Sequence, residues 1–250
     1  MSTTDLLFDD TPVGPSANAY PWSVYVVTDT AQCASRGRSV AQTVALAVEG
    51  GVTAVQVRCK DEPVRDFLRT LHEVAAVVPD DVPVLVNDRV DVFLAAHAAG
   101  LRVSGVHVGQ RDMPVEVVRE LVGQDVIIGL SARTPEQLRA AEMSVAHVDY
   151  VGVGPVFSTT TKRNAARVLG VEKFASLVGS LTIPAVAIGG VTYQDVGELR
   201  VHGASGVAVA SQVCGAVDPV AAARELKLAW ESSQHEPFRV HGVGVGERDS

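Results

Sequence analysis

The stretch Ala54-Val-Gln-Val-Arg58-Cys-Lys60-Asp-Glu-Pro-Val-Arg65-Asp-Phe-Leu-Arg-Thr-Leu-His-Glu-Val74 carries two periodicities in one pass. Ala54–Arg58 is a short Val-rich run, the length of a buried strand rather than of a helix. After a polar break, Arg65–Val74 brings Phe67, Leu68, Leu71 and Val74 onto one helical face. Pro83–Asn87 then repeats the strand signature. A strand, a helix and a second strand in this order predict parallel neighbours joined by a right-handed crossover.

The same unit recurs outward in both directions. Strands are predicted at Val24–Thr28, Ala54–Arg58, Pro83–Asn87, Gly105–Val108, Ile127–Ser131, Tyr150–Val153, Pro184–Ile188 and Gly206–Ala210. Helical spacing also marks Val115–Leu121, Pro135–Met143, Glu172–Leu177, Asp195–Arg200 and Pro219–Trp230. Eight such units in 250 residues predict a single closed (β/α)8 barrel, the TIM-barrel architecture. An open doubly wound sheet is the alternative arrangement, and the count of eight favours closure.

The barrel domain is predicted to span 22–231, between a flexible N-terminal arm over 1–21 and a flexible tail over 232–250. Both arms lack apolar periodicity. The tail's Gly242-Val-Gly244-Val-Gly246 is not followed by a helical pattern and carries no nucleotide signature. The N-terminus lacks the basic start and apolar core of a signal peptide, and no apolar run is long enough to span a bilayer. Three scattered cysteines, Cys33, Cys59 and Cys214, suggest neither a disulfide framework nor a zinc knuckle. A soluble protein of the reducing cytoplasm is expected. The net charge of -8 argues against nucleic-acid partners; small phosphorylated ligands remain compatible, because a local pocket can be positive on an acidic surface.

Active sites of such barrels gather where strands end, and here those ends are polar. Asp88 and Asp112 follow different strands and can converge across the mouth. Two carboxylates with waters and phosphate oxygens suit an octahedral Mg2+, although a lone Asp after a strand also reads as a helix N-cap. Arg58 and Lys60 take alternate positions and could grip diphosphate oxygens; an exposed basic turn balanced by Asp61 and Glu62 is the plainer reading. Gln56 and Asn87 offer amides to a ring with both donors and acceptors. Thr159, Thr160, Thr161 and Lys162, with Gly189-Gly190 and the amides near Ala210 and Ser211, could form a phosphate cup. His107 reads as a barrel-lining histidine, with a catalytic base as the sharper alternative. Cys59 has no paired base in sequence.

The ordered set Gln56-Val57-Arg58-Cys59-Lys60, Val86-Asn-Asp-Arg-Val-Asp91, Gly105 to Asp112, Gly129-Leu-Ser131, Gly152 to Lys162 and Ile188-Gly-Gly-Val191 closely resembles thiamine phosphate synthases over roughly Tyr25–Trp230. The resemblance implies a transferase of thiamine biosynthesis. Such an enzyme joins 4-amino-2-methyl-5-(diphosphooxymethyl)pyrimidine to thiazole phosphate, with dissociative, Mg2+-assisted loss of pyrophosphate. It further implies that Gln56, Val57, Arg58, Cys59, Lys60 and Asn87 bind the pyrimidine diphosphate. Asp88 and Asp112 would hold Mg2+. Ser131 would touch the pyrimidine or the departing diphosphate, beside Arg58, Lys60 and Lys162 as the catalytic cations. Thr159 to Lys162, Gly190, Ala210 and Ser211 would cover the thiazole phosphate. Cys59 stands where the family usually has Glu and Arg133 where His is common. Ala96–Ser104 is longer than usual, on what should be the amino-terminal face. Two rivals remain: a thiazole tautomerase, which would not need the diphosphate grip, and a non-catalytic phosphate sensor. The sequence is compatible with a homo-oligomer and leaves that state open.

Overall fold

The computed structural model describes residues 22–59, 62–159 and 167–233. Eight parallel strands follow one another round a closed barrel. They are β1 (Val24–Val27), β2 (Ala54–Val57), β3 (Val84–Asn87), β4 (Gly105–Val108), β5 (Ile127–Ala132), β6 (Tyr150–Val153), β7 (Ala185–Ile188) and β8 (Gly206–Val209). β8 pairs back onto β1, Val24 lying opposite Val207 and Val26 opposite Val209. That pairing excludes the open sheet. The strands fall within a residue of their predicted bounds at either end.

The helices among the described residues are α1 (Thr30–Ser35), α2 (Val40–Glu49), α3 (Val64–Val77), α4 (Val90–Ala98), α5 (Val115–Val122), α6 (Pro135–Met143), α7 (Val171–Val178), α8 (Val196–Val201), α9 (Ser211–Cys214) and α10 (Pro219–Ser232). None is long and apolar enough to cross a membrane. Four of them, α1, α2, α4 and α9, were not singled out from periodicity. α2 (VAQTVALAVE) and α4 (VDVFLAAHA) are apolar on most sides, so no one face stands out from the rest. Local chemistry marks the ends instead. Ser39 and Gln42 form a reciprocal capping box on α2, and Thr134-Pro135 and Asp218-Pro219 supply a cap plus a proline at the first turn. α10 runs through Ser232, one residue into the expected tail, with Ser233 as its C-cap; 1–21 and 234–250 lie outside the described residues.

The pleat sorts each strand into two faces. Val24, Val26, Val55, Val57, Val84, Val86, Val106 and Val108 point outward into the layer under the helices. Trp22, Tyr25, Val27, Ala54, Leu85, Ile127, Tyr150, Val186 and Ala208 fill the barrel interior. Trp22 precedes β1 and packs on the tyrosines, its ring 4.2 Å from Tyr150 and 5.7 Å from Tyr25. Gly129 makes room for the Tyr150 ring: a Cβ there would lie 2.2 Å from Cζ and 2.3 Å from the hydroxyl. Gly129→Ala is therefore expected to cost about 1–3 kcal/mol of stability through overpacking and to displace Tyr150. Thermal unfolding and near-ultraviolet circular dichroism measure both effects, and a wild-type Tm would refute the packing argument.

At the amino-terminal face the buried Arg119 of α5 holds two connections together. Its guanidinium donates to the carbonyls of Gly123, Gln124 and Val126 before β5 and of Ala146 and His147 before β6, and to Asp149 Oδ2 at 3.2 Å. The stretch after α4 also sits at this face. Its Arg102 bonds the carbonyls of Ala75 and Val78 at the end of α3.

Candidate active site

One cavity of about 490 Å3 opens at the carboxyl ends of the strands. Arg58 from the end of β2, Asn87 and Asp88 from β3, Asp112 from beyond β4, and Ser131 from β5 lie on its wall. Thr159, Gly190, Ala210 and Ser211 lie there too, after β6, β7 and β8. A smaller recess of about 270 Å3 is lined by Ser158, Thr159, Gly190, Val191, Ser211 and Gln212, on the side where the phosphate cup was expected. Gly190 has φ 69 and the carbonyl oxygen of Ser158 lies 2.4 Å from where its Cβ would be. Only glycine allows that turn and that approach together.

The two carboxylates are held by different means. Asp88 takes a left-handed backbone, φ 59, and its N–H donates to the His107 carbonyl at 2.8 Å. The chain thus turns sharply off β3 at the rim. Asp112 Oδ2 accepts from the Gly109 N–H at 2.8 Å, which closes the loop after β4. The N-cap positions of the helices that follow are Arg89 and Pro114, so neither carboxylate is the cap that a lone Asp suggests. Among the described residues no group of three or more His, Cys, Asp or Glu side chains gathers into a metal cage.

The alternation that brings Gln56 and Arg58 inward turns Val57 and Cys59 outward. Both of these side chains are buried in the layer beneath the helices and lie off the cavity wall. The expectation that they contact substrate is therefore not met by their side chains. Burial, reinforced by the nearby Glu62 charge, pushes the Cys59 thiol up to about 12, so it stays protonated at neutral pH. All three cysteines are buried and free. Lys60, Thr160, Thr161 and Lys162 lie outside the described residues, as does most of the polar loop 158–166.

A family model described as thiamine monophosphate synthase matches residues 24–213, nearly the whole barrel. The chain belongs to that family. It is 42% identical over 211 residues to the thiamine-phosphate synthase of Syntrophomonas wolfei, covering 84% of this chain and 97% of that one. It is 43% identical over 206 residues to that of Albidiferax ferrireducens, covering 82% and 90%. Among solved structures, a thiamine phosphate pyrophosphorylase from Pyrococcus furiosus superposes with a TM-score of 0.73 at 36% identity, covering 85% of this chain and 97% of that one. The protein is an enzyme of thiamine biosynthesis.

Within this thiamine monophosphate synthase family site, sequence reading missed several wall residues. Gln110, Arg111 and Gln137 line the cavity. Gln110 Nε2 donates to the Ser131 carbonyl at 2.8 Å, tying the loop after β4 to the end of β5. Arg133, noted only as a departure, lines the cavity as well. Its guanidinium donates to the Arg167 carbonyl at 2.7 Å and so fastens the segment that follows the β6 loop. No periodicity marks the loop residues Gln110, Arg111 and Arg133, and Gln137, in the first turn of α6, lies off that helix's buried face. In the sequence Tyr25 and Tyr150 show only as strand residues, yet their hydroxyls are hydrogen-bonded at 2.8 Å inside the barrel.

Proposed function

We propose that the enzyme condenses 4-amino-2-methyl-5-(diphosphooxymethyl)pyrimidine with thiazole phosphate, giving thiamine phosphate and pyrophosphate. The carrying observation is the single cavity, whose β2–β5 side presents Arg58, Asn87, Asp88, Asp112 and Ser131 and whose β6–β8 side presents Thr159, Gly190 and Ser211. Its volume is within the range of about 300–1,000 Å3 usual for small-ligand sites. Two ligands held against opposite walls meet in the middle, where the pyrimidine methylene and the thiazole nitrogen must approach.

The donor set suits Mg2+. Asp88 and Asp112 supply two hard carboxylate oxygens on one wall, too few to enclose an ion alone, and diphosphate oxygens and waters would complete the shell. When bound, the ion would neutralise charge on the departing diphosphate. Arg58 would add a bidentate grip on the same group, with Lys60 and Lys162 as further cations. Gln56 and Asn87 would orient the pyrimidine. Ser131 would stand beside the leaving oxygen. The aminopyrimidine ring donates electrons to its exocyclic methylene, so the C–O bond breaks before the thiazole nitrogen attacks. This sequence needs no protein nucleophile, which agrees with a Cys59 thiol that is protonated and turned away. The small molecules are the partners this reading assigns.

Purified protein with both substrates and Mg2+ is expected to release pyrophosphate and thiamine phosphate in equal amounts. Ligand binding without turnover would favour a sensor, and proton exchange on the thiazole without condensation a tautomerase.

A further inference from the structure

A chain of four hydrogen bonds crosses the barrel interior just below the cavity. Gln56 Nε2 donates to the Tyr25 hydroxyl oxygen at 2.7 Å, and the Tyr25 and Tyr150 hydroxyls lie 2.8 Å apart. The Tyr150 hydroxyl is 2.8 Å from His107 Nδ1, and His107 Nε2 is 2.9 Å from Ser131 Oγ. The side chains of Gln56, Tyr25, Tyr150 and His107 are all buried. Apolar residues fill comparable interior positions on β3 and β7, and four buried polar groups are costly unless fully joined.

The protons in this chain can be placed by counting. Burial raises both tyrosines well above the ordinary phenol range, so each keeps its hydroxyl proton. The Tyr25 oxygen already accepts from Gln56, and the neighbouring acceptor is Tyr150. Tyr25 therefore donates to Tyr150. The Tyr150 proton is left for His107 Nδ1, and a ring nitrogen that accepts carries no proton of its own. The imidazole proton sits on Nε2 and is donated to Ser131. Ser131 Oγ, having accepted, turns its own proton toward the cavity that the residue lines.

We infer that Gln56, Tyr25, Tyr150 and His107 are positioning residues that hold the His107 ring as its Nε2–H tautomer, so that Ser131 faces the ligand as a hydrogen-bond donor to an anionic oxygen. Only the identity of that oxygen, on the departing diphosphate, rests on the function proposed above. The polarity matters because the chain has two directions. Were the Gln56 carbonyl to face Tyr25, every proton would reverse. Ser131 would then donate to His107 and present a lone pair to the ligand, opposing the charge that grows on the leaving group. A His107 acting as a base toward Ser131 is that reversed form.

Long-range proton–nitrogen NMR of the 15N-histidine-labelled enzyme at neutral pH reads the tautomer directly, with the His107 signals assigned by their loss in His107→Gln. The expected pattern is a protonated Nε2 and a bare Nδ1. A protonated Nδ1 overturns the inference. Kinetics supply the second arm. Tyr150→Phe removes the donor to Nδ1 without changing ring shape. It should give a mixture of tautomers and lower kcat about tenfold, the scale of one hydrogen bond, with both KM values within about twofold. Wild-type kcat in that variant counts against it. His107→Gln retains an N–H for Ser131 and His107→Leu does not, so the Gln variant should keep about tenfold more kcat than the Leu variant; equal losses overturn the donor role. If Tyr150→Phe fails to fold, the wild-type tautomer and the two His107 variants decide. A wild-type enzyme that makes no thiamine phosphate would refute the proposed reaction and leave the tautomer readable.

Discussion

Asp112→Asn is expected to lower kcat/KM by about 10²–10³-fold, the usual scale for losing one charged or polar stabiliser of a developing anion. Asparagine is the informative substitution because it separates charge from structure. Its side-chain oxygen can still accept from the Gly109 N–H, so the loop after β4 keeps its closing bond. Asp88→Asn works for a different reason. The backbone there is left-handed, φ 59, a conformation Asn tolerates and most other residues resist. Alanine at either position would mix metal loss with loop distortion. Both Asn variants should unfold within about 2 °C of wild type, given effects of about 0.5 kcal/mol for substitutions that spare packing. Each should need about tenfold more Mg2+ for half-maximal rate, the scale of one charge-assisted contact. If one ion is shared, the double variant loses little more than the worse single. Wild-type rate and Mg2+ dependence in either variant would sink the metal assignment.

Arg119→Met should cost about 3–5 kcal/mol, the penalty for removing one partner of a buried pair. For a chain of this size that is a fall in Tm of roughly 6–20 °C. The substitution strips a donor from five carbonyls and from Asp149 at once, and it does so far from the cavity. Residual folded enzyme should keep its kcat. The pH dependence follows from Asp149. Burial already raises its carboxyl above the ordinary range, against the pull of the Ile128 N–H and of Arg119. Without Arg119 the carboxyl rises further. An acid whose folded pKa is raised favours the folded state below its unfolded pKa, and that advantage is lost as pH climbs through the folded pKa. The gap between variant and wild type should therefore be smallest near pH 4 and largest above neutrality, and Asp149→Asn in the Arg119→Met background should narrow it. A pH-independent gap in the Tm series would show that Asp149 carries none of the penalty.

Much of the mouth was legible because strand ends break the apolar pattern. Arg58, Asn87, Asp88, Asp112 and Ser131 each stand at or beyond the end of a short apolar run, and all five line one cavity. The alternation of the strand is equally legible. Val57 and Cys59 belong to the run that resembles the family, yet a period of two turns them outward when Gln56 and Arg58 face in. Gln110 and Arg133 escape the pattern because their places on the wall depend on loop paths, and loops carry no repeating spacing; Gln137 sits in the first turn of α6, off the helix's buried face of Leu138 and Ala141.

The chain alone determined a parallel α/β architecture of eight strands, since short apolar runs alternating with helical faces must be covered on both sides, and the pairing of β8 with β1 decided the barrel against the open sheet. It also determined which residue types reach the rim. Only the closed barrel decided which of them meet. Tyr25 and Tyr150 are separated by 125 residues, and His107 and Ser131 by 24. The first contact joins β1 to β6 across the interior and exists because the barrel closes, and the second depends on the register of the paired strands β4 and β5. Gly129 makes the same point, its missing side chain having meaning only against a tyrosine ring from the neighbouring strand. Periodicity is a property of neighbours in sequence, whereas register across the barrel depends on closure and packing of the whole chain.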